Sequence, residues 1–253
     1  MMIRDGYAEF LAAMNNLAAS GLVKSYGGRT VLGDVSISAE RGEIVGLLGA
    51  NGAGKTTCFY IIAGWIKPDS GRVMMNGEDV TSLPMHRRAR RGLSYLPQDG
   101  SIFQGLSVLD NVLAILEICG ARGDDARRQA RELLDTMGVG HLAAASAKEL
   151  SGGERRRVEI ARLLATKPSF VLMDEPFAAI APIAVKEIKE IIRALTQKDI
   201  GIVVTDHNVR EMLALCDRAY ILSDGKVLTE GTPTQLAADD SARSAYLGRD
   251  FSI

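Results

Sequence analysis

A glycine-rich segment, GANGAGKT at residues 49–56, constrains the fold of this chain more than any other part of its sequence. It follows an apolar run at residues 44–48 and precedes a segment of helical character at residues 57–65. The order of strand, glycine loop and helix is typical of a phosphate-binding loop. Glycines let successive backbone N–H groups point at phosphate oxygens, and the helix N-terminus adds the positive end of its dipole. The segment therefore predicts an α/β nucleotide-binding fold.

Each residue type in this loop has an expected partner on a bound nucleotide. Lys55 is expected to reach the β- and γ-phosphates, and the Thr56 hydroxyl is expected to bind Mg²⁺. The nucleotide-binding candidates here are Gly49, Asn51, Gly52, Ala53, Gly54, Lys55, Thr56 and Thr57. The alternative is a glycine turn that binds nothing, and the flanking strand and helix argue against it.

Composition excludes several classes of protein. A chain of 253 residues can form one large domain or two small lobes that share a core. A net charge of -1 gives no support for a general nucleic-acid binder. Three cysteines, Cys58, Cys119 and Cys216, lack metal or redox spacing, which predicts small buried side chains in a reducing compartment.

Nothing in the sequence predicts a direct membrane attachment. No apolar run approaches the roughly 20 residues that span a bilayer, and acidic and amide residues interrupt the N-terminal apolar residues, unlike a signal peptide. Residues 7–17 can form a short amphipathic helix, but we expect residues 1–16 to be an extension before the main domain. A cytoplasmic protein that meets the membrane through partners is the expectation.

Two arginine-rich segments stand out. Residues 85–91 carry four arginines, a pattern typical of a solvated helix face. Arg155, Arg156 and Arg157 lie in the first turns of another predicted helix, where positive charge is unfavourable. A negative group nearby would offset that charge, and a bound phosphate is a candidate.

Polar side chains follow three apolar strands. Asp174 and Glu175 end the strand at residues 170–175, where Asp174 can hold Mg²⁺ and Glu175 can act as general base toward water. His207 follows the strand at residues 200–204, at the ligand-binding edge of a parallel sheet. Gln98 ends residues 93–98 and can meet Mg²⁺ or water, although a surface glutamine gives the same pattern. Tyr26 at a turn can stack on a base or be an ordinary strand tyrosine.

Taken together, these segments resemble the ATPase subunit of ABC transporters over about residues 17–248. The matches follow the family's order: A-loop Tyr26, Walker A 49–56, Q-loop Gln98, signature Leu150-Ser151-Gly152-Gly153-Glu154, Walker B Asp174-Glu175 and switch His207. The resemblance implies a mainly parallel core sheet, an antiparallel β subdomain and an inserted α-helical subdomain at about residues 102–166. Residues 249–253 would form a C-terminal tail.

The same resemblance implies a head-to-tail homodimer that holds two ATP molecules with Mg²⁺. Each ATP would lie between one subunit's phosphate-binding loop and the other's signature, where Ser151, Gly152, Gly153 and Glu154 face the γ-phosphate. Glu175 would polarise the attacking water and His207 would contact the γ-phosphate. Gln98 would sense Mg²⁺ and report to the helical subdomain.

One position departs from the family pattern. The segment after Walker B usually carries an aspartate that helps to link the two sites of the dimer, and Ala181 stands there. We hypothesise that this chain has a lowered or less cooperative ATPase activity.

Five shorter segments resemble the sequences of one branch of the family, the branch that powers lipopolysaccharide export. They are residues 95–98, 101–103, 174–178, 205–211 and 246–251. This branch works with two transmembrane permease subunits at the inner membrane, and Phe103 would belong to the groove that receives a permease helix. The alternative for Phe103 is an ordinary core phenylalanine. An ATPase of a branched-chain amino-acid importer and a non-transport ABC scaffold protein remain alternatives for the whole chain.

Overall fold

The computed structural model describes residues 15–248 and residue 251. The predicted N-terminal extension up to residue 14 and most of the tail after 248 lie outside this range. The described strands are β1 (Asn16–Tyr26), β2 (Arg29–Glu40), β3 (Ile44–Gly49), β4 (Ser70–Met75), β5 (Glu78–Asp79), β6 (Leu93–Leu96), β7 (Phe170–Asp174), β8 (Gly201–Thr205), β9 (Arg218–Ser223) and β10 (Lys226–Gly231). The described α-helices are α1 (Lys55–Ala63), α2 (Met85–Ala89), α3 (Val108–Ile118), α4 (Gly123–Thr136), α5 (Gly152–Leu164), α6 (Pro182–Thr196), α7 (Val209–Leu213), α8 (Pro233–Ala238) and α9 (Asp240–Ala242).

A 6-stranded sheet in the order β10-β9-β3-β8-β7-β6 forms the centre of the fold. Strand β3 pairs in parallel with β8 and β9, and β7 pairs in parallel with β6 and β8. Every residue of β3, β7 and β8 is buried, as expected for strands that are covered by other elements on both faces. The carboxyl ends of β3, β7 and β8 therefore meet at one edge, where parallel sheets bind ligands.

A second, 4-stranded sheet in the order β2-β1-β4-β5 is antiparallel throughout. Strand β2 alternates buried and exposed residues over much of its length, as expected for a strand with one face on a core and the other toward solvent. Leu32, Val35 and Ile37 face a core that this sheet shares with helix α1. The predicted combination of a mainly parallel core sheet and an antiparallel sheet is confirmed.

Helices α3, α4 and α5 pack on one another and are the elements expected in the helical subdomain. The apolar faces of α3 and α4 meet through residues such as Val112, Leu116 and Leu134, all buried. Helix α3 begins at Val108 because the Ser107 side chain accepts a hydrogen bond from the amide of Asp110. The exact limits of a separate subdomain stay a prediction. Within residues 15–248 and 251, no helix is long and apolar enough to cross a membrane.

Two sequence-based predictions are wrong in part. Arg88 does not belong to a solvated face: it is 1% exposed and donates to the carbonyls of Ile61, Ile62, Thr81 and Leu83. It thereby pairs the C-terminal carbonyls of α1, and burial lowers its pKa to about 10. Among the cysteines, Cys58 and Cys216 are buried as predicted, whereas Cys119 is exposed.

Candidate functional site: a phosphate-binding cavity at the sheet edge

The glycine loop joins β3 to α1 in a conformation that only glycine adopts easily. Gly49 has φ 148, and a Cβ there would lie 2.4 Å from the carbonyl oxygen of Leu222. Gly54 has φ 104 and presses against Leu32 and Val31. At Gly52, by contrast, a Cβ would meet nothing within 4 Å. The loop is therefore packed against protein on one side and open on the other.

The open side of the loop presents hydrogen-bond donors. Helix α1 makes its first bond from the amide of Cys58 to the carbonyl of Gly54, so the amides of Lys55, Thr56 and Thr57 have no intrahelical acceptor. The Lys55 Nζ donates to the carbonyl oxygens of Gly49, at 2.7 Å, and of Ala50, at 3.1 Å. Burial lowers the pKa of Lys55, and the carboxylates of Glu175 and Asp174 partly offset this effect. Free amides, a helix N-terminus and a lysine together suit a polyphosphate.

Asp174 lies at the end of β7 and is 6% exposed. Both of its carboxylate oxygens accept hydrogen bonds: Oδ1 from the Thr205 hydroxyl at 2.6 Å, and Oδ2 from the Tyr95 hydroxyl at 3.1 Å. The two donors come from the neighbouring strands β8 and β6. The carboxylate is thus held in one orientation by the strands on either side of it.

Glu175, the next residue, has a left-handed backbone with φ 46, which is uncommon for a residue other than glycine. Its Oε2 accepts a 2.7 Å hydrogen bond from Nε2 of Gln98. Its Oε1 lies 2.6 Å from Nε2 of His207. The three residues that the sequence predicts to act in hydrolysis are therefore in direct contact, although they come from three separate strand ends.

One cavity of about 340 Å³ brings the loop, Asp174, Glu175 and His207 together, whereas Gln98 lines a neighbouring cleft. It is lined by Val31, Asn51, Gly52, Gly54, Lys55, Thr56, Thr57, Asp174, Glu175 and His207. The loop donors fit the phosphates of ATP, and the oxygens of Thr56 and Asp174 fit Mg²⁺, which prefers oxygen ligands and usually keeps phosphate and water in its coordination sphere. In the described part of the chain no cluster of three or more His, Cys, Asp or Glu could hold a metal.

The signature residues lie elsewhere in the subunit. Ser151 caps α5 through a capping box, in which Glu154 accepts from the Ser151 amide and hydroxyl at 2.8 Å and 2.6 Å. These bonds lower the pKa of Glu154. Gly152 lines a cleft with Gln98 and Ala179, and none of the signature residues lines the 340 Å³ cavity. Ser151, Gly152 and Gly153 of this subunit therefore lie outside its own 340 Å³ cavity.

Tyr26 and Phe103 are both exposed at the surface. Tyr26 ends β1, is 50% exposed and has the Lys24 ammonium 5.5 Å from its ring centre. Phe103 is 44% exposed, so it is not a core phenylalanine, and the Arg162 guanidinium lies 4.2 Å from its ring centre. The buried Asn111 fixes the Phe103 backbone by accepting from its amide and donating to its carbonyl.

Sequence reasoning missed the role of Arg156, for which it suggested a bound phosphate. This side chain is buried and pairs with Glu159 at 3.1 Å. It also donates to the carbonyls of Pro97, Asp174 and Glu175. Its charge is thus balanced within the subunit, and it ties α5 to the strand ends that carry Gln98 and Glu175. A Glu three residues after Arg156 was the available signal, because i,i+3 pairs share a helix face.

Comparison with known proteins places these features in a familiar group. The sequence pattern of the ABC transporter family matches residues 32–178. The lipopolysaccharide export system ATP-binding protein LptB of Escherichia coli K12 is 50% identical over 241 residues, which cover 95% of this chain and 100% of that protein. The crystal structure of MJ1267, an ATP-binding cassette in its ADP conformation, has a TM-score of 0.85 at 29% identity, with 93% and 100% of the two chains covered. A dimeric structure of the cassette MJ0796 with ADP and phosphate has a TM-score of 0.76 at 26% identity, with 86% and 98% covered.

Proposed function

Because the chain belongs to the ABC transporter family of ATP-binding proteins, we propose that it is the ATP-hydrolysing subunit that powers lipopolysaccharide export from the inner membrane. One observation carries the choice of cargo: the 50% identity to the Escherichia coli export protein extends over 95% of this chain and all of that protein. Since permeases hold the cargo in such transporters, the assignment depends on which permeases this subunit recognises.

Residues in and around the cavity have different roles in the proposed ATP hydrolysis. Lys55 and the loop amides hold the β- and γ-phosphates, and Tyr26 stacks on the adenine base. Thr56, Asp174 and Gln98 would hold Mg²⁺, which supplies charge stabilisation for the phosphoryl oxygens when bound. Glu175 accepts a proton from the attacking water as general base.

Glu175 must exchange partners before it acts. Its Oε2 accepts a hydrogen bond from Gln98 and its Oε1 lies 2.6 Å from Nε2 of His207, so we propose that the attacking water replaces one of these partners on the carboxylate. His207, whose side chain is 55% exposed, then turns to the γ-phosphate. Such an exchange gives Gln98 and His207 a part in timing hydrolysis.

A head-to-tail homodimer completes the site. The signature at the start of α5 presents a helix N-terminus and a serine hydroxyl, both suited to a γ-phosphate, but it does not reach the cavity of its own subunit. The similar cassette MJ0796 forms a dimer with bound ADP and phosphate. We therefore infer that the Ser151, Gly152, Gly153 and Glu154 of one subunit face the ATP of the other.

A groove between the core sheet and the helical elements suits a permease segment. It has a volume of about 260 Å³ and is mostly apolar, with Tyr95 and Leu96 of β6 on one side and Ile115 of α3 and Arg162 of α5 on the other. We name it the β6–α5 groove. Phe103 stacks on Arg162 at its rim. The proposed partners are two transmembrane permease subunits of the LptF/LptG type, which would hold this protein on the cytoplasmic face of the inner membrane.

Affinity purification from mildly solubilised native membranes, followed by mass spectrometry, tests the proposal. We expect two export permeases and a small periplasm-facing membrane protein to accompany the chain. Amino-acid permeases would instead assign it to import, and the absence of any membrane protein would contradict a transport role. Phe103→Ala should release the permeases while the ATP affinity of the purified subunit stays unchanged.

A matched control is available for Phe103. Ile118→Ala removes another exposed apolar side chain, 79% exposed at the far end of α3, and should leave the permeases bound. Equal recovery of permeases with both variants would remove Phe103 from the docking surface.

A further inference from the structure

We propose that Tyr95 is a positioning residue for Mg²⁺: its hydroxyl orients the Asp174 carboxylate while its ring forms part of the wall of the β6–α5 groove. The inference rests on the ATP site proposed above and is independent of the cargo. It gives Tyr95, which lies in the matched segment 95–98 but has no role assigned there, a part in the chemistry of the site.

The geometry places Tyr95 between two functional regions. Its hydroxyl donates to Oδ2 of Asp174 at 3.1 Å, and its side chain lines the β6–α5 groove. The strands that carry the two residues pair in parallel, with Tyr95 opposite Leu172. Asp174 is therefore two residues further along its strand, and a side chain as long as tyrosine is needed to reach it.

The Tyr95 hydroxyl is placed to donate a hydrogen bond to Asp174. A phenol carries a donor hydrogen, and the Tyr95 oxygen lies 3.1 Å from Oδ2 of Asp174. The carboxylate uses Oδ1 for Thr205 and Oδ2 for Tyr95. Loss of either donor frees the carboxylate to rotate, and groups that orient a metal ligand in this way commonly contribute 10–100-fold to metal affinity.

An aromatic cluster fixes the Tyr95 ring itself. Its centre lies 6.3 Å from that of Tyr60 on α1 and 5.9 Å from that of Trp65, both in edge-on arrangements. These contacts keep the hydroxyl aimed at Asp174 and connect it to the helix that follows the phosphate-binding loop. A substitution that keeps the ring and removes the hydroxyl therefore isolates the effect on Asp174.

The test measures binding of the non-hydrolysable analogue AMP-PNP by calorimetry, once in EDTA and once in saturating Mg²⁺, with the full chain. For Tyr95→Phe we expect an unchanged AMP-PNP affinity in EDTA. The factor by which Mg²⁺ increases that affinity should be about tenfold smaller than in the parent, the lower end of the range for such orienting groups. Tyr60→Phe is the matched control. It removes a hydroxyl from the same aromatic cluster, and this hydroxyl makes no hydrogen bond to another described residue.

A double-mutant comparison shows whether Tyr95 acts through Asp174. In an Asp174→Asn background, Tyr95→Phe should cause no further loss of Mg²⁺ dependence. Equal Mg²⁺ tightening in the parent and in Tyr95→Phe would overturn the inference and leave the proposed function intact. An equal loss in EDTA and in Mg²⁺ would also overturn it, because that result describes general support of the site. A parent chain that binds no AMP-PNP in either buffer would refute the proposed function as well.

Discussion

Replacing Ala181 with aspartate should stabilise the subunit before any effect on its dimer is considered. Ala181 is the N-cap of α6, with φ -67 and ψ 149, and no side chain accepts a hydrogen bond from the first turn. That turn contains no acidic residue and begins with Pro182, which has no amide hydrogen. The position therefore has the backbone of a capped helix start and lacks the cap.

The expected gain follows from that geometry. An Asp at an N-cap contributes about 1 kcal/mol over Ala, and its charge adds about 0.3–1 kcal/mol at the positive end of the helix dipole. Helix α6 buries Ile188, Ile192 and Leu195 in the core, so its stability is part of the stability of the whole subunit. For a chain of this size, about 1 kcal/mol raises the Tm by roughly 2–4 °C.

Thermal unfolding followed by circular dichroism, without nucleotide, measures this gain. Ala181→Asn supplies a cap without the charge and should give most of it. Ala178→Asp adds a charge to an exposed position of the same loop outside the cap, and should change the Tm by less than about 1 °C. Equal Tm values for Ala181→Asp and the parent would refute the capping argument.

The same variants separate stability from communication between sites. If the missing aspartate weakens the link between the two ATP sites, Ala181→Asp should raise the ATPase rate or its cooperativity, and Ala181→Asn should do so less. Steady-state hydrolysis as a function of ATP concentration gives both quantities. An unchanged rate and Hill coefficient in Ala181→Asp would exclude the hypothesis of lowered cooperativity even if the Tm rises.

Three further predictions follow from single residues. Glu175→Gln should bind ATP and accumulate as a closed dimer in size-exclusion chromatography. Its turnover rate should fall by at least about 100-fold, since a general base contributes a factor of about 10²–10⁴ to the rate. Turnover at the parent rate would show that the base is another group. Ala179→Gly should raise the free energy of unfolding by about 0.5–1 kcal/mol, because Ala179 has φ 56, a left-handed backbone that glycine adopts without strain. Ala178→Gly should not raise it, and urea titration of both variants measures the difference. Arg88→Met should lower the free energy of unfolding by at least about 3 kcal/mol, because four carbonyl oxygens lose their donor. Arg87 is exposed, so Arg87→Met should lower it by less than about 0.5 kcal/mol. Similar losses for both variants would contradict a structural role for Arg88.

The sequence predicts best what depends on local pattern. Strand β7 lies where the apolar run at residues 170–175 places it, and the rule that parallel strands share one ligand edge brings Glu175 close to His207. Local pattern fails where a side chain is surrounded by distant segments. The acceptors of Arg88 come from residues up to 27 positions away, and nothing in the run at 85–91 distinguishes it from its exposed neighbours.

Helix α6 and the contacts of Glu175 differ in how far the sequence could predict them. Apolar residues spaced three and four apart, with Pro182 at the first position, are a signal for a helix at residues 182–196 that was not used above. The pairing of Glu175 with both Gln98 and His207 depends on a left-handed backbone at Glu175 that composition does not specify. The predicted roles for the site residues therefore remain proposals, while their proximity is a property of the fold.

The contacts of Glu175 with Gln98 and His207 also bear on how much ATP is hydrolysed without transport. Each oxygen of that carboxylate already has one partner, Gln98 on Oε2 and His207 on Oε1. A water that Glu175 activates must therefore use a remaining lone pair or replace one of these partners. If the second subunit displaces them, we expect an isolated subunit to hold ATP and cleave it slowly, so that ATP is consumed mainly in the assembled transporter.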